Sequence, residues 1–250
     1  MIKIIGGKCD GCVAKAAADV VTDVIKNKPD AVLGLATGSS PIGMYTELIG
    51  RCKAGEISFA SVRSVNLDEY VGLSPEHDQS YAYFMNDKLF SHVDIKKENT
   101  NLPNGLAADA EAECARYDGV VASMGGIDLQ VLGIGNNGHI GFNEPSDIFT
   151  KGTGLVELTD STIDANARFF ASRDLVPTKA LSMGIGQIMS ARKILLIALG
   201  KGKAEILERA LFGDVTPAVP ASILQFASDV TVCADEAALS VIREKHPEAL

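Results

Sequence analysis

Two short stretches of the chain carry side chains able to move protons. In VLGIGNNGHIGFNEP, Val131 to Pro145, His139 stands five residues before Glu144 and two after Asn137. A carboxylate beside an imidazole sets which ring nitrogen holds the proton. A histidine–glutamate unit with an amide neighbour suits acid–base work on hydroxyl groups. In NLDEY, Asp68 and Glu69 end an apolar run. Successive side chains of an extended segment point to opposite faces, so one of the two can face a cleft. There it can take a proton from a carbon next to a carbonyl. A helix cap or a solvated turn acid is the plainer alternative.

The first stretch also spells G-x-G-x-x-G through Gly133, Gly135 and Gly138. A dinucleotide turn needs a helix to start within that pattern and an acidic residue about twenty positions on. Pro145 and the turn-rich NEPSD stop any helix, so the glycines are expected to free the backbone around Asn137, His139 and Glu144.

Anion-binding features occur elsewhere. In TGSSP, Gly38 allows close approach of a ligand, Ser40 suits the helix N-cap and Pro41 the first helical position. A simply capped helix explains the same residues. In GKGKAEIL, Lys201 and Lys203 stand where cations oppose the helix dipole, a placement that an arriving phosphate would relieve. Arg168 in ANARFF is a third candidate cation. The other histidines, His77, His92 and His246, stand at no metal-ligand spacing, and no G-x-S-x-G elbow occurs. A zinc or iron site is therefore not expected. Five cysteines, Cys9, Cys12, Cys52, Cys114 and Cys233, make no disulfide framework. Cys9 and Cys12 form C-x-x-C without a second pair or a thioredoxin-like context, and from sequence this counts as coincidence.

The elements that position these groups follow a repeated pattern. AVLGLA leads into TGSSP, SVRSVNL into DEYVGL, IDLQVLGI into the histidine loop, KILLIAL into GKGKAEILERAL, and VTVCA into DEAALSVIREKH. Runs apolar at nearly every position predict strands covered on both faces. The expected fold is α/β, a doubly wound, mostly parallel sheet flanked by helices on both faces, in one domain over residues 1–250. Ligands of such sheets bind beyond the carboxyl ends of the strands, where every turn named above falls. The net charge of −9 argues against nucleic-acid or anionic membrane partners, so an anionic substrate must find a local cationic cluster. No apolar stretch is long enough to span a bilayer and no signal peptide is visible, so a cytoplasmic protein is expected.

TGSSP, NLDEYVGL, QSYAYF, GIGNNGHIGFNEP, ANARFF and PAVPASILQ, in that order, resemble the glucosamine-6-phosphate deaminase (glucosamine-6-phosphate isomerase) family through nearly the whole chain. The resemblance implies a Rossmann-like fold shared with ribose-5-phosphate isomerases and 6-phosphogluconolactonases. It also implies cofactor-free conversion of glucosamine 6-phosphate and water to fructose 6-phosphate and ammonia. By resemblance, His139, oriented by Glu144 and Asn137, opens the sugar ring, and Asp68 carries the C2 proton to C1. Gly38, Ser39, Ser40, Arg168 and Lys203 hold the phosphate, and Tyr81 belongs to a lid. Many members have aspartate at the position of Asn137, and regulated members carry a basic cluster after NEP, where this chain offers only Lys151. An unregulated monomer or small homo-oligomer is therefore expected. A 6-phosphogluconolactonase-like hydrolase and a sugar-phosphate sensor are the alternatives.

Overall fold

A computed structural model describes residues 2–250, apart from the side chain of residue 165. Ten strands run in chain order: β1 (Ile2–Gly7), β2 (Val32–Leu35), β3 (Arg63–Asn66), β4 (Asp68–Tyr70), β5 (Thr100–Asn101), β6 (Leu129–Gly133), β7 (Gly154–Glu157), β8 (Lys179–Ser182), β9 (Ile194–Ala198) and β10 (Val230–Asp235). Eight α-helices join them: α1 (Asp10–Asn27), α2 (Ile42–Lys53), α3 (Tyr81–Lys88), α4 (Ala110–Ser123), α5 (Asp160–Asn166), α6 (Ile185–Met189), α7 (Ala204–Phe212) and α8 (Ser240–Lys245).

Seven strands form one sheet in the order β1-β10-β9-β6-β2-β3-β5, and every pairing in it is parallel. Burial explains the apolar runs. Every residue of β2 and β9 is buried, as expected where helices cover both faces of a sheet. Helix α1 turns Val13, Ala17, Val21 and Val24 inward, spaced three and four apart along one stripe. From β2 the chain steps outward to β3 and β5, then returns to place β6 on the other side of β2. The strand order reverses between β2 and β6, so a crevice opens there beyond their carboxyl ends.

The sequence pattern did not disclose a second, three-stranded sheet, β4-β8-β7, which is antiparallel. Only Leu67 separates β3 from β4, so the chain passes from the rim of the large sheet straight into the small one. Leu67 is clamped on both sides: its N–H donates to Leu35 at 3.2 Å and its carbonyl accepts from Met183 at 2.7 Å. A small core of Tyr70, Phe142, Leu158, Ile163, Val176 and Ala180 supports this layer.

Two local expectations shift. Helix α2 begins at Ile42 with Pro41 as its N-cap, and the Ser40 hydroxyl makes no capping bond. Pro41 already has αR angles and no N–H to satisfy, which leaves Ser40 in the turn before the helix. A short 3-10 turn, Lys201–Lys203, precedes α7. No helix among the described residues is long and apolar enough to cross a membrane.

Candidate active site

The histidine loop holds itself in place. The Gly135 N–H donates to the His139 carbonyl at 2.9 Å, and the Gly138 N–H donates to the Gly135 carbonyl at 3.0 Å. The glycines serve this turn. A Cβ on Gly135 would overlap the His139 ring, and Gly138 sits at φ +89°, where side chains are strained. Residues 134–153 contain no helix, so the nucleotide turn is absent, as Pro145 and NEPSD indicate.

Glu144 organises the side chains. Its Oε1 faces His139 Nδ1 at 3.4 Å and accepts the Thr162 hydroxyl, while its Oε2 accepts from Asn137 Nδ2 at 2.6 Å. Burial acts to raise the Glu144 carboxyl, but the close approach of His139, then the Thr162 hydroxyl and Asn137, outweigh it and hold it at about 2. Glu144 is therefore anionic at neutral pH. An anion facing Nδ1 favours the proton there and leaves Nε2 for a substrate. Asn137 makes no hydrogen bond to the ring. Its Oδ1 accepts the His139 backbone N–H at 3.2 Å, so it orients the histidine through the main chain and through Glu144.

Asp68 and Glu69 face opposite ways, as alternation along a strand requires. Glu69 accepts the N–H groups of Tyr70, Tyr81 and Ala82 at 2.8, 2.9 and 2.8 Å. It thereby caps α3, whose next N–H, that of Tyr83, bonds Ser80 Oγ at 3.0 Å. Asp68 is only 6% exposed, and no described residue donates to its carboxylate. Burial, and then the Glu69 charge, push it up to about 8. A Cβ on Gly141 would lie 3.6 Å from Asp68 Oδ2, which puts this carboxylate over the same loop that carries His139.

The cationic groups gather beside that loop. Lys203 Nζ donates to Asn136 Oδ1 at 2.6 Å, and its pKa is lowered by burial and then by the nearby Arg168 charge. Arg168 lies with its guanidinium 4.6 Å from the Phe169 ring centroid. Among the described residues no carboxylate pairs with either cation. Gly38 and Ser39 are exposed at the end of β2, and Ser40 reaches toward Gly133 at the end of β6. Lys201 remains a surface residue.

Tyr81, the first residue of α3, stacks on Phe142 at 6.0 Å and 7° and lies 4.8 Å from Tyr70. Its hydroxyl reaches Tyr70 and Thr37, and burial raises its pKa well above the usual tyrosine value. It therefore joins the TGSSP turn to the Asp68 side of the cleft. Thr37, Asn136 and Thr162 escaped the sequence reading, and the helix cap offered there as an alternative falls to Glu69, at the distant start of α3. Asn136 and Thr37 adjoin residues already singled out, whereas Thr162 lies eighteen positions from its partner and carries no local signal.

The site thus combines a buried carboxylate that titrates near neutrality, an imidazole backed by an anion, and two unpaired cations. That set can take a proton from carbon, move one between oxygens, and hold an anionic substrate. The family described as glucosamine-6-phosphate isomerases/6-phosphogluconolactonase matches residues 11–233. Glucosamine-6-phosphate deaminase of Lachnoclostridium phytofermentans is 56% identical over 231 residues, 92% of this chain and 98% of that protein. Glucosamine-6-phosphate deaminase of Clostridium perfringens is 54% identical over 230 residues, 92% of this chain and 95% of that protein. The solved structure of a monomeric glucosamine-6-phosphate deaminase superposes with a TM-score of 0.93 at 48% identity, covering 96% of this chain and 99% of that one. The chain therefore belongs to the glucosamine-6-phosphate isomerase/6-phosphogluconolactonase family.

Proposed function

We infer that the chain is a glucosamine-6-phosphate deaminase, converting glucosamine 6-phosphate and water to fructose 6-phosphate and ammonia. What supports this assignment over a lactonase is Asp68: a buried carboxylate, free of protein partners, beside the histidine loop. Hydrolysis of a lactone has no need of a base at C2.

Each group takes a role that its surroundings favour. His139 Nε2 moves a proton between the anomeric hydroxyl and the ring oxygen, which opens the pyranose. Glu144, anionic and 3.4 Å from Nδ1, stabilises the imidazolium that forms, and Asn137 keeps Glu144 and the loop in register. Ionised Asp68 then takes the proton from C2 of the open aldehyde, giving an enolamine, and returns it to C1. Water adds to the resulting C2 iminium, ammonia leaves, and the ketose remains. Gly38, Ser39, Ser40, Arg168 and Lys203 grip the phosphate, so that binding energy far from the reacting carbons positions them. Tyr81 closes the sugar side of the cleft.

The chain acts as one unit, a view supported by the pairing of β1 near one end with β10 near the other. A monomer is favoured by the similar protein described as monomeric. Insensitivity to N-acetylglucosamine 6-phosphate is favoured by the single lysine, Lys151, after NEP. The test is to supply glucosamine 6-phosphate and measure both products. Equal amounts of ammonia and fructose 6-phosphate are expected, with a loss of roughly 10³-fold in Asp68→Asn, a typical size for removing a general base. Lactone hydrolysis without ammonia release, undiminished in Asp68→Asn, would replace this function with the hydrolase.

A further inference from the structure

The C-x-x-C pair, unremarkable in the sequence, acquires a geometry in the fold. Cys9 is the N-cap of the 18-residue helix α1, and Cys12 lies in the first turn. Positions three apart on a helix share a face, and here the two sulfurs lie 2.6 Å apart. The Cys12 N–H donates to Cys9 Sγ at 3.3 Å as well as to the Cys9 carbonyl at 2.9 Å. Both thiols are exposed. The remaining cysteines differ: Cys52 is half-buried and donates to Asp94, and Cys114 and Cys233 are buried. Among the described residues no group of three or more His, Cys, Asp or Glu side chains stands ready for a metal ion, so the two sulfurs form a bare dithiol.

We propose that Cys9 and Cys12 form a thiol–disulfide exchange site that accepts small-molecule disulfides. The thiolate is the reacting species, and helix N-termini favour it. Cys9 is the attacking sulfur: the side-chain hydrogen bond from Cys12, then the Cys12 N–H, hold its pKa below the usual thiol value. The same contact raises Cys12. Cys9 attacks one sulfur of the disulfide R–S–S–R; the S–S bond breaks and one thiolate leaves, taking up the proton that Cys9 released. Cys12 then gives its proton to the second leaving thiolate as its sulfur attacks that of Cys9. The products are the Cys9–Cys12 disulfide and two small thiols, a two-electron oxidation of the dithiol matched by reduction of the disulfide. Because the sulfurs already touch at the helix start, closure requires little movement of α1.

The reduced full-length protein is treated with oxidised glutathione, quenched with an alkylating agent, and read by intact mass and peptide mapping. Wild type is expected to lose two hydrogens, retain no glutathione, and yield a peptide in which Cys9 and Cys12 escape alkylation. Cys12→Ser is expected to trap one glutathionyl group on Cys9. Cys9→Ser, whose serine keeps the helix cap, is expected to react at Cys12 at least tenfold more slowly. Full alkylation of both cysteines in wild type, a disulfide to another cysteine, or equal trapping rates in the two variants would overturn the proposal. Unchanged ammonia production by both variants verifies that they fold.

Discussion

Replacing Asp68 by asparagine should stabilise the fold while it removes the activity, and the size of the gain should depend on pH in a defined direction. Asp68 is 6% exposed, and burial together with the Glu69 charge carries its pKa from 3.8 to about 8. Between those values the folded protein holds a proton that the unfolded chain has released. Stability due to this group therefore falls as pH rises through that window, by at most about 1.4 kcal/mol per pH unit. Across roughly four pH units the ceiling is near 6 kcal/mol, of the order of a whole domain's net stability. Asparagine does not titrate. Urea unfolding of wild type and Asp68→Asn at about pH 4.5 and about pH 8.5 gives the difference directly. The variant's advantage should be at least 2 kcal/mol larger at the higher pH, with unchanged slopes in denaturant. An advantage that stays flat between the two pH values would refute the claim that Asp68 is held in a desolvated site.

Glu144→Gln should slow ring opening of the cyclic substrate by roughly 10² or more, because the imidazolium loses its anion, whereas Asn137→Ala should cost about tenfold. Equal losses in rate assays of both variants would contradict this division. Lys203→Ala should raise KM for glucosamine 6-phosphate by about ten- to a hundredfold, as expected for a charged hydrogen bond worth about 1.5–3 kcal/mol, and leave turnover of unphosphorylated glucosamine unaltered. An unchanged KM would remove Lys203 from the phosphate grip. Glu69→Gln should destabilise the protein by about 1–3 kcal/mol in thermal or urea unfolding, since one amide oxygen cannot serve three N–H donors that are buried or partly buried. A neutral result would show that α3 needs no such cap.

The large sheet was legible because its central strands are apolar throughout: VLGL and ILLIA are buried at every position. The rim was legible for a related reason, since polar turns at the ends of such strands must meet beyond the sheet. His139 and Glu144 are also close in sequence, and their pairing survives in space. The small sheet was hidden. Its strand β4 has three residues and pairs with β8 more than a hundred positions away, so no local periodicity announces it. Glu69 caps a helix that begins twelve residues later, and Thr162 reaches Glu144 from a separate helix. Such contacts are set by tertiary packing, not by spacing. Ser40 was placed as a cap because it precedes proline, but Pro41 itself takes the cap and Ser40 stays in the turn before α2.

The transfer by Asp68 of one proton from C2 to C1 is tested most directly with glucosamine 6-phosphate carrying deuterium at C2. A shielded carboxylate that both removes and returns this proton should deliver part of the label to C1 of fructose 6-phosphate, detectable by mass spectrometry or NMR, and Asp68→Asn should deliver none. Product formed at the wild-type rate by Asp68→Asn, with the same label at C1, would contradict the account.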